Sequence, residues 1–209
     1  MEPLFWFTLA VTFIVTAITV QLPPIRFEKN TTYQNQPYKE EKRRNMPLLK
    51  ESWLEAKLAV KNADSLIGNV RENLRDGVVM TIAILPSIMS IGFLGLIIAE
   101  YTPIIEYVSY IFYPFISIFP VQDVAILAQA STISIVEMLL PAAIAQTADL
   151  ATRFIVAVIS VSAIIFFSSV VPVILSTEIK ISVGKLVLIW FERVVLTLLI
   201  TIPFALWLF

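Results

Sequence analysis

Glu137 is the only carboxylate between Asp123 and Asp149, and it lies in a stretch that also carries Gln129, Thr132, Ser134 and Pro141. If residues 124–148 were one helix, Gln129 and Glu137 would stand about 80° apart around it, with Ser134 about 60° further round. Thr132 would fall on the other side of Gln129. Such a face offers amide, hydroxyl and carboxylate groups. These can hydrogen-bond a small polar solute or hold a proton or sodium ion. The competing reading is helix–helix hydrogen bonding, which polar residues in apolar surroundings often perform. Glu106 is a further carboxylate in an apolar stretch and joins the solute-binding or coupling candidates.

Two charged pairs complete the set. Asp149 and Arg153 are spaced for a helical salt bridge, or for a helix cap and an interfacial anchor. Glu192 and Arg193 are neighbours and diverge by about 100° around a helix, so each needs its own partner. Arg193 is a candidate counter-ion for Glu137 or Glu106. The chain has no histidine and no cysteine. Disulfides, thiolate nucleophiles and the usual zinc sites are therefore excluded, and no metal site or cofactor is expected. No nucleophile–base pair is readable, so an enzyme ranks behind a transporter and a scaffold.

The elements that must position these residues are apolar helices. Of the 209 residues, 58% are hydrophobic, and the net charge is -1. The mean hydropathy is +0.85. The apolar residues are gathered in long uncharged blocks, as in a membrane protein, and nothing suggests nucleic-acid binding. The fold class expected is all-α: a polytopic helical membrane protein with about five to six membrane segments, one of them broken or re-entrant.

Residues 1–24 form the first block. No basic leader precedes it, and Gln21-Leu22-Pro23-Pro24 is not a small-residue cleavage site, so a retained anchor is expected rather than a signal peptide. Residues 26–76 are polar, with eleven Lys/Arg and eight Asp/Glu. The cluster Lys39-Glu40-Glu41-Lys42-Arg43-Arg44 marks this loop as cytoplasmic or, alternatively, as a contact for anionic lipid. The sequon Asn30-Thr31-Thr32 carries no weight in a cytoplasmic loop. Within it, residues 47–76 carry a heptad stripe through Leu49, Trp53, Ala56, Val60, Ala63, Ile67, Val70 and Leu74, which predicts one amphipathic helix.

Residues 77–209 form the membrane domain. Gly77–Ala99 is an uncharged run of span length, and Pro86 and Gly92-Phe93-Leu94-Gly95 suggest a kink or a close helix contact. Pro103–Pro120 reads as a bent return span. Residues 124–148 are too polar for a lipid-facing helix and predict a broken one. Phe154–Thr177 reads as one long span, Glu178-Ile179-Lys180 as a polar turn, and Val183–Phe209 as the last span. The side of the C-terminus stays open, because Arg153 and Lys180 are too few to decide it.

From Leu85 onward the chain resembles the YjiH-type membrane proteins of the nucleoside-recognition, or Gate, domain family. The resemblance rests on Ile84-Leu85-Pro86-Ser87-Ile88-Met89-Ser90-Ile91-Gly92, Glu137-Met138-Leu139-Leu140-Pro141-Ala142 and Thr152-Arg153-Phe154-Ile155-Val156. It continues in Phe167-Ser168-Ser169-Val170-Val171-Pro172 and in Arg193. It implies a protein of the cytoplasmic membrane of a bacterium or archaeon, embedded in the lipid bilayer. It also implies pairing as a homodimer, or as a heterodimer with another Gate-domain membrane protein. The expected function is transport of a small polar solute, nucleoside-like or another metabolite. The alternative is a non-transporting scaffold or regulatory subunit. The resemblance places Glu137, Pro141, Arg153 and Arg193 among the residues to test.

Overall fold

The computed structural model describes residues 2–27, 47–62, 65–176 and 181–209. The basic cluster at 39–44, the sequon at 30–32 and the turn at 178–180 lie outside them. The described residues are helical, with no strand among them. The chain divides into two compact units, Met1–Lys29 with Pro86–Phe209, and Asn30–Leu85.

In the second unit the stripe of residues 47–76 is not one helix. Helix α2 spans Leu48–Asn62, Ser65 is not helical, and α3 spans Leu66–Tyr101. The polar residues 66–76 therefore continue directly into the apolar run, so the expected boundary at Gly77 is not a helix end. Nothing at Gly77 stops a helix: a lone glycine costs about 1 kcal/mol relative to alanine, which a long helix absorbs.

The first unit is built on three apolar helices. These are α1 (Glu2–Thr19), α8 (Leu150–Ser162) and α10 (Val183–Leu208), and α10 packs on both others. Phe7 of α1 stacks on Phe204 of α10 at 3.9 Å, and Phe154 of α8 lies 6.0 Å from the same ring. At the other end Thr16 of α1 and Ser162 of α8 meet Arg193 of α10. Helices α1 and α8 thus run parallel to each other and antiparallel to α10. Threonine hydroxyls on α1 donate back to carbonyls four residues earlier, at Thr8, Thr12, Thr16 and Thr19. This satisfies them without water.

Among the described residues two helices, Leu66–Ile98 and Val183–Leu208, are long and apolar enough to cross a membrane by length and composition. The other expected spans are shorter or interrupted. Pro103–Pro120 is not a bent span but two short helices, α4 (Ile104–Ser109) and α5 (Tyr113–Ile116). Proline at 114 suits the first turn of α5, and it cannot continue α4. Residues 124–148 are broken, into α6 (Val124–Ile133) and α7 (Leu140–Ile144) followed by a 3-10 turn at Ala145–Thr147. Phe154–Thr177 is also broken, contrary to expectation: α8 stops at Ser162, and α9 (Val170–Ser176) begins seven residues beyond the last residue of α8's regular turn at Ala163.

Candidate functional site

The two breaks meet. The N–H of Phe167 donates to the carbonyl of Ile135 at 2.7 Å, and that of Ser168 donates to Val136 at 3.0 Å. Each interrupted segment thereby satisfies backbone groups that its own helix has released. The chain leaves α8 through a three-residue turn closed by Ile165 N–H on the Ala163 carbonyl at 2.7 Å. Its central residue, Ile164, has φ of 61°. A β-branched side chain in that region is strained by about 1–3 kcal/mol and must be held there by its surroundings.

One face of α10 supplies that hold. Trp190 donates its indole N–H to Ser134 Oγ at 3.0 Å, at the end of α6. Three residues on, Arg193 donates Nη2–H to the Ser162 carbonyl at 2.7 Å and shares Nε–H between Ser162 and Ala163 carbonyls at 3.1 and 3.2 Å. Its Nη1 reaches Thr16 Oγ1 at 3.0 Å. One turn further, Thr197 and Ser162 hydroxyls are 2.9 Å apart. Arg193 is 5% exposed. Neither Glu137 nor Glu106 is its counter-ion; the Ser162 and Ala163 carbonyls at the C-terminus of α8 attract a cation through their partial charge and fill that role.

Beside the first break lies a cavity of about 410 Å³. Leu96 and Glu100 of α3, Thr102, Glu106 of α4, Gln129 and Ile133 of α6, and Leu140 of α7 contribute to its wall. The side chains of Glu100, Glu106 and Gln129 make no hydrogen bond or ion pair with the described residues. They are free to face a ligand. Two carboxylates and an amide can accept from hydroxyl or amine donors and neutralise a positive group, and the volume suits a small molecule.

The expected polar face is therefore divided. Gln129 and Glu106 line the cavity. Thr132 and Ser134 turn into the protein, donating to the Ala128 and Ser131 carbonyls. Because α6 ends at Ile133, Ser134 and Glu137 are not on its surface as helical spacing required. Glu137 bends back so that Oε2 accepts the N–H of Leu139, just ahead of α7. Gly92 of α3 passes beside its side chain, and Gly95 beside Val136.

The remaining candidates are structural. Asp149 is the N-cap of α8, accepting from Ala151 N–H at 3.0 Å and Thr152 N–H at 3.4 Å, and its own N–H donates to Asp123 Oδ2 at 3.0 Å. Partial burial opposes its charge, but hydrogen bonding from Thr152 and Ala151 outweighs this and holds its carboxyl below the usual carboxylate range. Arg153 is exposed and does not pair with it. Glu192 keeps one buried oxygen without a hydrogen-bond partner among the described residues. Sequence reasoning missed Glu100, and it also missed Trp190 and Thr197. The spacing of the latter two from Arg193, three before and four after, is the signal that could have found them.

No family model matches the chain, and no solved structure matches it. It is similar to an uncharacterized protein of Alkalihalophilus pseudofirmus, 26% identical over 205 residues. The match covers 96% of this chain and 44% of that protein, so the chain spans less than half the length of the relative.

Proposed function

We propose that the chain is a multi-pass membrane transporter of a small polar solute, or one subunit of a paired transporter. The observation that carries this reading is the cavity holding Glu100, Glu106 and Gln129 against the break between α6 and α7. Interrupted helices release backbone groups and open space at depth, which a mid-membrane binding site needs. Unspent carboxylates and an amide in an apolar chain are costly unless they serve a ligand or water. The resemblance to Gate-domain proteins points the same way and adds nucleosides to the solutes to be tested.

Binding is read by thermal unfolding of the detergent-purified chain with nucleosides, organic amines, organic acids and sodium. A ligand at 100 times its Kd stabilises the folded state by about 2.7 kcal/mol if it binds only that state. We expect a member of the nucleoside or amine classes to raise the melting temperature of the wild type. The combined Glu106→Gln and Gln129→Leu variant should keep its fold and lose that shift. A shift that survives both changes would place binding elsewhere.

The second reading, a scaffold or regulatory subunit, is favoured by Thr132, Ser134 and Arg193, whose polar groups are spent inside the protein. It predicts no solute shift at all. In either reading the Lys/Arg-rich residues 26–76 face the cytoplasm. The absence of native cysteine makes this simple to check: a cysteine placed at Thr32 should resist impermeant maleimide in intact cells, and labelling there would reverse the orientation. Pairing with a second Gate-like chain belongs to the same proposal, and a strictly monomeric chain in light scattering would remove the homodimer.

A further inference from the structure

We propose that Arg193 is a tethered cation. It occupies a site of carbonyl and hydroxyl oxygens at the end of α8 that would otherwise require a free ion, and it thereby holds the α8 break in place. The ligand set is the Ser162 and Ala163 carbonyls and Thr16 Oγ1. The Thr16 hydroxyl donates to Thr12 O at 2.7 Å, which leaves its lone pairs turned to the guanidinium. All of these groups are neutral oxygen ligands, the kind that hold hard cations at unwound helix ends. No carboxylate among the described residues pairs with Arg193, although the side chain is 5% exposed.

Three features show that the charge, and not merely the bulk, is matched. The guanidinium cannot discharge by losing its proton, so it stays ionised where it is buried. Its acceptors cluster at a helix C-terminus, where the partial charge is negative. And the strained turn at Ile164 begins directly after Ala163: Ile165 N–H takes one lone pair of the Ala163 carbonyl, and Arg193 takes the other together with the Ser162 carbonyl that the turn leaves open. Arg193 is a positioning residue: it fixes where α8 stops, and through the ladder from Phe167 and Ser168 it fixes the α6–α7 break. Arg193 has this role whichever solute the cavity takes.

The test uses the full chain in detergent. Arg193→Ala should melt at lower temperature than wild type, and millimolar guanidinium, well below denaturing concentrations, should restore part of the loss in a saturable way. Urea, the neutral molecule of similar shape, should not. The wild type should show neither response. Rescue by neither compound, or equal rescue by both, overturns the proposal. If Arg193→Ala does not accumulate, Arg193→Lys and Arg193→Met decide: the lysine variant, which keeps a cation within reach, should yield several-fold more folded protein than the uncharged methionine variant. Equal yields would overturn it.

Discussion

Trp190→Ala is expected to destabilise the protein by about 3–5 kcal/mol, the range for removing a large buried aromatic side chain. Trp190 is 5% exposed and lies edge-on to Phe112, with ring centroids 5.7 Å apart and planes at 89°. That pairing adds to the loss of buried area. Its indole N–H also serves Ser134 Oγ, where α6 stops. Trp190→Phe separates the two contributions: it keeps most of the ring and removes the donor, so it should cost about 0.5–1.5 kcal/mol for the lost hydrogen bond, since the Ser134 hydroxyl still donates to the Ser131 carbonyl. Reversible unfolding in mixed micelles measures both. A phenylalanine variant as stable as wild type would mean that the Ser134 contact does not help hold the break.

Gly95→Ala is expected to cost about 1–3 kcal/mol more than Gly77→Ala in the same helix. Both changes gain about 1 kcal/mol of helix propensity. At Gly77 an added Cβ meets nothing within 4 Å. At Gly95 it would overlap Val136 Cγ1 and come within 3.2 Å of Val136 Cβ. Val136 cannot easily retreat, because its carbonyl is held by Ser168 across the second break. Overpacking of this kind costs about 1–3 kcal/mol. Adding Val136→Ala to Gly95→Ala should recover most of the loss, since the pair is in contact and its effects are not additive. If Gly95→Ala and Gly77→Ala behave alike, α3 does not press on the α6–α7 break.

These residues also show what could be read from sequence. Long uncharged blocks dictate helices, and the all-α class follows from them. Glu137 and Pro141 announce the first break, because a carboxylate and a proline both disfavour an uninterrupted apolar helix. The second break has no such announcement. Ala163-Ile164-Ile165-Phe166-Phe167 is apolar and contains neither glycine nor proline. It is broken by tertiary contacts: Arg193 captures the carbonyls at 162 and 163, and residues 135 and 136 capture the N–H groups at 167 and 168. The partner of Arg193 was hidden for a related reason. Charge pairing can be guessed from side chains, whereas a backbone carbonyl belongs to every residue and carries no sequence signal. Glu106 and Gln129 were legible as polar groups out of place, but their convergence with Glu100 requires the close approach of α3, α4 and α6.

Flux decides whether the cavity beside the first break serves solute passage. The purified chain is reconstituted into liposomes loaded with a mixture of nucleosides, organic amines and organic acids, and the external solution is followed by mass spectrometry. At least one nucleoside or amine is expected to leave faster than from protein-free liposomes, and Glu106→Gln with Gln129→Leu is expected to abolish the excess. Retention of every solute, or release unchanged by the two substitutions, would contradict that use of the cavity.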